Sequence, residues 1–302
     1  MENKRTAYIQ MHITTFLWGL TAILGKKISI TELPLVWYRV MIVSVVMLFI
    51  PKLIQHIRQL SFKDIRIVGS IGILIAMHWV AWYGSIRLAN ASVAVSCIAL
   101  ISFFIAVIEP VITKNKFSKS NLFFGVLVIP GILLINQSLD VKLKHGFWLG
   151  ILAALLGALF GIYNKKYTQE IEPNTITFIQ MLSGFLFLSI CMPFYLHLTH
   201  QQLHLPNSKD FILLLILAIV CTVIPYNLFL RALKATNAFT TSLINNLEPV
   251  YGVILAAVFL HENEQLNWKF YIGAVIILIA VFAHAFLNRK QIKNTADILD
   301  VN

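Results

Sequence analysis

Long apolar stretches alternate along this chain with short polar segments rich in Lys and Arg. A helix that crosses a bilayer needs about 20 mainly apolar residues. The pattern predicts such helices over 8–24, 34–50, 65–88, 91–112 and 122–135. A second set is predicted over 147–163, 175–198, 211–233, 238–260 and 268–286. The fold class expected is an all-α membrane protein of ten transmembrane helices. Met1–Arg5 is basic and precedes an apolar run, as in a signal peptide. The run lacks a small-x-small cleavage site, so an uncleaved first span is expected.

Composition agrees with the pattern. The hydrophobic share is 58%, the charged share 12% and the mean hydropathy +0.79. Soluble domains carry about 25% charged residues. The net charge of +11 does not point to nucleic acid, because the cations sit between apolar runs and form no basic face. If the N-terminus is inside, the inner segments hold 16 Lys and Arg and the outer segments 7, with Arg39 inside a span. That bias places both termini in the cytoplasm of a multi-pass protein of the cell (inner) membrane. Cys97, Cys191 and Cys221 lie far apart in apolar runs, which suggests neither a disulfide framework nor a zinc site. His197, His200 and His204 share an outer loop with no Cys or carboxylate to complete a metal site. Neither metal nor cofactor is expected.

The chain also repeats itself. Ile23–Lys27 echoes Ile162–Lys166, Pro51 echoes Pro193, Arg87–Ala91 echoes Lys234–Ala238, and Phe123–Gly125 echoes Tyr271–Gly273. The offsets drift from 139 to 148, as loop insertions would make them. A repeat with an odd number of spans must insert the second time in the opposite sense, a recurrent design in secondary transporters. Two inverted five-helix repeats are therefore predicted over 1–140 and 141–290, followed by a cytoplasmic tail over 291–302.

Several motifs resemble those of the EamA-type drug/metabolite transporters. They are Trp18-Gly19 followed by Lys26, Trp37-Tyr38-Arg39, and the run Trp82-Tyr83-Gly84-Ser85-Ile86-Arg87-Leu88-Ala89-Asn90-Ala91-Ser92. Span nine adds Asn246-Leu247-Glu248-Pro249 and ends Phe259-Leu260-His261-Glu262. The chain departs from the pattern where His261 replaces the usual glycine and Asn115 stands where Glu262 stands in the second repeat. The resemblance implies a ten-helix transporter, often an exporter of amino acids or similar metabolites, with a cavity between its halves.

Charges at membrane depth cost at least ~2.5–3.5 kcal/mol each by insertion scales, so each needs a reason. Glu248 lies about ten residues into span nine. Pro249 removes a helix hydrogen bond and frees a carbonyl near Asn245. Asn245, Asn246 and Glu248 could bind a substrate ammonium or a coupling proton, or Glu248 could be a structural carboxylate tied to Arg39. Arg39 could meet a substrate carboxylate, pair with Glu248 or snorkel to the interface. Glu109, before Pro110, reads as a gate or a helix-end feature. His78, Trp79 and Trp82 share a face of span three beside Tyr83, as an interfacial belt or as a cavity wall. Tyr226 and Asn227 follow Pro225 at the matching place in the other half. Trp18, Tyr163 and Asn164 complete the candidates for substrate contact. Gly146, Gly150, Gly157 and Gly161 form close-approach motifs that predict helix packing.

No HExxH, GxSxG or Walker motif is present, so neither an enzyme nor an ATPase is expected. A channel or a non-transport membrane partner is the alternative. The expected partners are a small-molecule substrate and the lipid bilayer, with a homodimer open and nucleic acid excluded.

Overall fold

The computed structural model describes residues 4–235, 244–245, 247–262, 266–280 and 282–283. All regular structure among them is helical. The helices are α1 (Lys4–Lys27), α2 (Glu32–Met47), α3 (Leu53–Arg58), α4 (Phe62–Leu88), α5 (Ala91–Ile98), α6 (Leu100–Thr113) and α7 (Lys119–Ser138). They continue with α8 (Lys144–Tyr167), α9 (Pro173–Thr199), α10 (Ser208–Ala218), α11 (Ile224–Ala235), α12 (Glu248–Leu260) and α13 (Trp268–Ala280).

Among the described residues, 7 helical segments are long and apolar enough to cross a membrane: Arg5–Lys27, Phe62–Leu88, Ala91–Thr113, Lys119–Ser138, Val141–Tyr167, Pro173–Thr199 and Ser208–Ala232. Helix α2 has 16 residues, and α12 and α13 are apolar but shorter. The predicted spans 91–112 and 211–233 each contain a discontinuity. Ala99 separates α5 from α6, and a π turn over Ile219–Val223 joins α10 to α11. The short predicted spans at 122 and 147 extend into their flanks, because Ser118 caps α7 and a 3₁₀ turn over Val141–Leu143 leads straight into α8. Helix α3, after Pro51, was not predicted.

Caps punctuate the other starts as well. The side chains of Ser61, Asn90, Glu172 and Asn207 each accept a hydrogen bond from a backbone N–H three residues on. Many large apolar side chains face outwards, among them Phe49, Ile190, Phe194 and Leu198, as a lipid-facing surface requires.

The packing has a reciprocal pattern. Helix α1 packs on α11 and α12, and α8 packs on α4 and on α5 and α6. Helix α2 meets α9, and α5 meets α12. At the contact of α7 with α13, a Cβ on Gly131 would meet the Gly273 carbonyl at 2.6 Å and Ile277, while one on Gly273 would meet the Gly131 carbonyl at 2.6 Å and Ile135. As the register advances on α7 it retreats on α13, so the two run antiparallel. Only glycine permits this approach of backbone to backbone.

The bundle has two ends. The C-termini of α1, α4, α7, α9 and α12 meet the N-termini of α2, α5, α8, α10 and α13 at the Arg87 end. The C-termini of α6 and α8 meet at the Lys165 end.

Candidate functional site

A cavity of about 330 Å³ lies between the two halves of the chain. Trp18, Arg39, His78, Trp79, Trp82, Glu109, Tyr226, Asn245 and Glu248, all singled out from the sequence, line it. They come from α1, α2, α4, α6, α11 and the start of α12. Its walls are aromatic and apolar with a few polar groups, the make-up of small-molecule sites.

Four of the described candidates, Tyr83, Asn227, Asn164 and Tyr163, do not line it. Tyr83 is 1% exposed and turns onto Gly25, where any Cβ would run into the ring. Its hydroxyl instead accepts from Arg39 at 2.9 Å. Asn227 is turned away from the cavity, and its Nδ2 donates to the Val223 carbonyl at 2.9 Å. Asn164 is buried one layer behind the wall, and Tyr163 stacks near Tyr167. Asn246 lies outside the described residues.

Arg39 is 2% exposed. Its Nε donates to Thr222 Oγ1 at 2.8 Å and one Nη donates to Tyr83 Oη. The other Nη donates to the Cys221 carbonyl at 3.4 Å. That carbonyl is available because Pro225, four residues on, has no N–H to return to it. The π turn places Cys221 and Thr222 together, and Thr222 Oγ1 donates in turn to the Leu217 carbonyl at 2.7 Å. Such turns inside α-helices recur at functional sites. The guanidinium carbon stacks 3.8 Å from the Trp79 ring centroid. Among the described residues Arg39 forms no ion pair, so the alternative of a tie to Glu248 is not the one adopted.

Glu248 is the first residue of α12, with Pro249 behind it and a turn at Leu247. Its carboxylate has no hydrogen-bond or ionic partner among the described residues. Asn245, one turn earlier, accepts from Thr15 Oγ1 at 3.3 Å. His78 Nδ1 lies 2.7 Å from the Ala153 carbonyl, which fixes the ring at the wall. Behind Tyr226 lies a closed ring of neutral groups. Asn164 Nδ2 donates to Tyr226 Oη at 3.0 Å, Tyr226 Oη donates to Gln180 Oε1 at 2.6 Å, and Gln180 Nε2 donates to Asn164 Oδ1 at 2.7 Å.

At the Lys165 end the cavity passes Glu109, whose carboxylate pairs with Lys165 Nζ at 2.5 Å. Sequence reasoning counted Lys165 as a loop cation and missed this contact. It also missed Thr222, for which Pro225 three residues on was the available signal. Of the small-residue motifs, Gly146 meets Ala89, Gly150 meets Cys97 and Ser85, and Gly157 meets Ile101 and His78. Gly161 has nothing within 4 Å and belongs to the cavity wall. No group of three or more His, Cys, Asp or Glu able to hold a metal occurs among the described residues.

Comparison with known proteins gives these observations a context. The mouse protein Solute carrier family 35 member F5 is 25% identical over 203 residues, covering 65% of this chain and 38% of that one. A probable amino-acid metabolite efflux pump of Salmonella typhimurium is 27% identical over 194 residues, covering 61% of this chain and 64% of the pump. The matches therefore span less than two thirds of these relatives. A solved crystal structure superposes with a TM-score of 0.67 at 12% identity, covering 96% of this chain and 99% of its own, which speaks to the fold alone. The profile of the EamA-like transporter family matches twice, over residues 5–137 and 144–285. The chain therefore belongs to the EamA-like transporter family and is a multi-pass membrane protein.

Proposed function

We propose that this chain is a secondary transporter that carries a small metabolite, an amino acid or a related amphipathic solute, out across the cytoplasmic membrane by alternating access. The observation that carries this reading is Glu248: a carboxylate with no hydrogen-bond or ionic partner among the described residues, at the first residue of α12, lining a cavity between the halves. A buried charge without a protein partner is costly, and a ligand cation or a proton that comes and goes offsets that cost. Half-helix ends beside a central cavity are a recurrent way for transporters to bind ions and substrates. The name of the Salmonella relative supports a metabolite exporter.

In this reading the chain crosses the membrane ten times, as two inverted five-helix repeats over 1–140 and 141–290. The reciprocal packing of α1 and α8, and the antiparallel Gly131–Gly273 contact, support that symmetry. So do the matched discontinuities at Ala99 and Leu247. The bias of Lys and Arg supports cytoplasmic termini, which makes the Lys165 end the inner one. A fixed pore would use a continuous polar lining or a filter loop, whereas here the polar groups are few and separated by aromatic walls.

The test is transport by the full chain in proteoliposomes, with a panel of labelled amino acids and metabolites under an imposed pH gradient. Gradient-driven flux of one class of solute is expected, and Glu248→Gln is expected to abolish its dependence on the gradient. A Glu248→Gln protein with unaltered pH-driven flux would contradict the role given to Glu248.

A further inference from the structure

The transport reading leaves one charge in the cavity unexplained. Arg39 is buried and permanently charged, and among the described residues it is held by neutral groups alone: Thr222, Tyr83, the Cys221 carbonyl and the Trp79 ring. Three of its five N–H donors are used in this way, and among the described residues the other two have no partner. A buried guanidinium held so well by its geometry, yet without a counter-charge among the described residues, is placed to receive one.

The other half of the chain sharpens the point. Asn164, Gln180 and Tyr226, from α8, α9 and α11, form a polar cluster that satisfies itself without any charge. Gly25, Arg39 and Tyr83, from α1, α2 and α4, stand at offsets of 139, 141 and 143 residues from them, within the drift of the internal repeat. A closed neutral ring serves for packing at that position in the second half. In the first half a charge stands there instead, with its partners arranged to present it to the cavity.

We propose that Arg39 is the anchor for the carboxylate of an organic anion whose apolar or aromatic body lies against Trp18, Trp79 and Trp82. This rests on the cavity being the transport site. It adds an anionic pole to the cationic or proton-binding pole assigned to Glu248. Thr222 and the π turn act as positioning groups that hold the fork of the guanidinium edge-on to the ligand.

The test is binding to the purified full-length chain, followed by calorimetry and by tryptophan fluorescence, for which Trp79 is the nearby reporter. Phenylpropanoate, phenylpropanol and phenylpropylamine share one body and differ in the charge of the head group. The anion is expected to bind wild type at least ~10-fold tighter than the alcohol, as a charge-assisted hydrogen bond implies. Arg39→Gln should weaken anion binding on the order of 10- to 100-fold and the alcohol, which loses only a hydrogen bond to a neutral acceptor, by a clearly smaller factor. Arg39→Lys, which keeps the charge but loses the fork and the planar stack, should recover part of the loss. Thr222→Val should weaken the anion by a smaller factor without touching the alcohol. Equal binding of the anion and the alcohol by wild type would overturn the proposal without any variant. Wild-type anion affinity in a folded Arg39→Gln protein would overturn it too. Because the readout is binding, a failure of pH-driven flux with the anion preference intact counts against the transport reading alone.

Discussion

The two ends of the bundle are built differently, and the difference says which way the cavity faces. At the Arg87 end the helices are tied across their termini. Glu262 accepts from the backbone N–H groups of Ala91 and Ser92 at 2.9 and 2.8 Å and from the Ser92 hydroxyl at 2.7 Å. Arg87 donates to the Ile28 and Ile30 carbonyls, Lys26 to the Ile86 carbonyl, Ser29 to Asp210, and Tyr195 to Glu32. At the Lys165 end the corresponding closure across the cavity is the Lys165–Glu109 pair, and Lys166 adds a bond to the Ile112 carbonyl. The cavity runs towards this second end, past Ile105, Glu109, Asn121 and Lys165. A carboxylate sealed against a helix N-terminus is a strong closure, because the charge meets both the free N–H groups and the helix dipole. A half-exposed lysine pair is a weak one.

Removing the stronger closure should have the largest effect. Glu262 is 3% exposed, so Glu262→Ala strands two backbone donors and a hydroxyl, at a cost of about 3 kcal/mol. A lower melting temperature is expected, and spin labels at the ends of α4 and α12 should move apart. Unchanged distances would show that the Arg87 end does not depend on this contact. Lys165→Met should have a smaller effect, about 1 kcal/mol or less, because side-chain exposures of 42% and 23% leave the pair open to solvent screening. The expected readout is a several-fold faster thiol-labelling rate at a cavity position reached from that end, with little change in stability. Smaller again is the backbone relief at the left-handed positions that close α6 and α12, Lys114 (φ 58°) and His261 (φ 53°). Glycine at either site should stabilise by about 0.5 kcal/mol, the left-handed strain relieved less the entropy glycine loses on folding, measured by thermal unfolding. Equal gains at the two sites would mean that the two ends differ in their side-chain ties rather than in their backbone.

Most of the scaffold was legible in the sequence, because apolar run length and the distribution of cations act locally. The cavity was legible in part. Trp18, His78, Trp82, Tyr226 and Glu248 stand out as polar or aromatic groups at depth, and the structure brings them to one cavity. Tyr83 and Asn227 each follow a lining residue by one position. A step of one residue turns a side chain by about 100° on a helix, enough to send them to Gly25 and to the Val223 carbonyl. The helix break at Ala99 was not legible, since no Gly or Pro marks it, and the π turn was signalled only by Pro225 just beyond its end. The Lys165–Glu109 contact was hidden for another reason: it joins residues 56 apart on different helices. His261 is the instructive departure. The left-handed backbone there explains why glycine suits the position, and why the residue after it, Glu262, is aimed back at α5.

The most direct test of alternating access is side-specific labelling of Ser102→Cys, a cavity position, in oriented vesicles with the three native cysteines replaced by Ala. The account predicts that a membrane-impermeant maleimide reaches it from the Lys165 side in the wild-type background, and from the Arg87 side once Glu262 is replaced by Ala. Labelling from both sides at once in the wild-type background, as a pore would give, would contradict it.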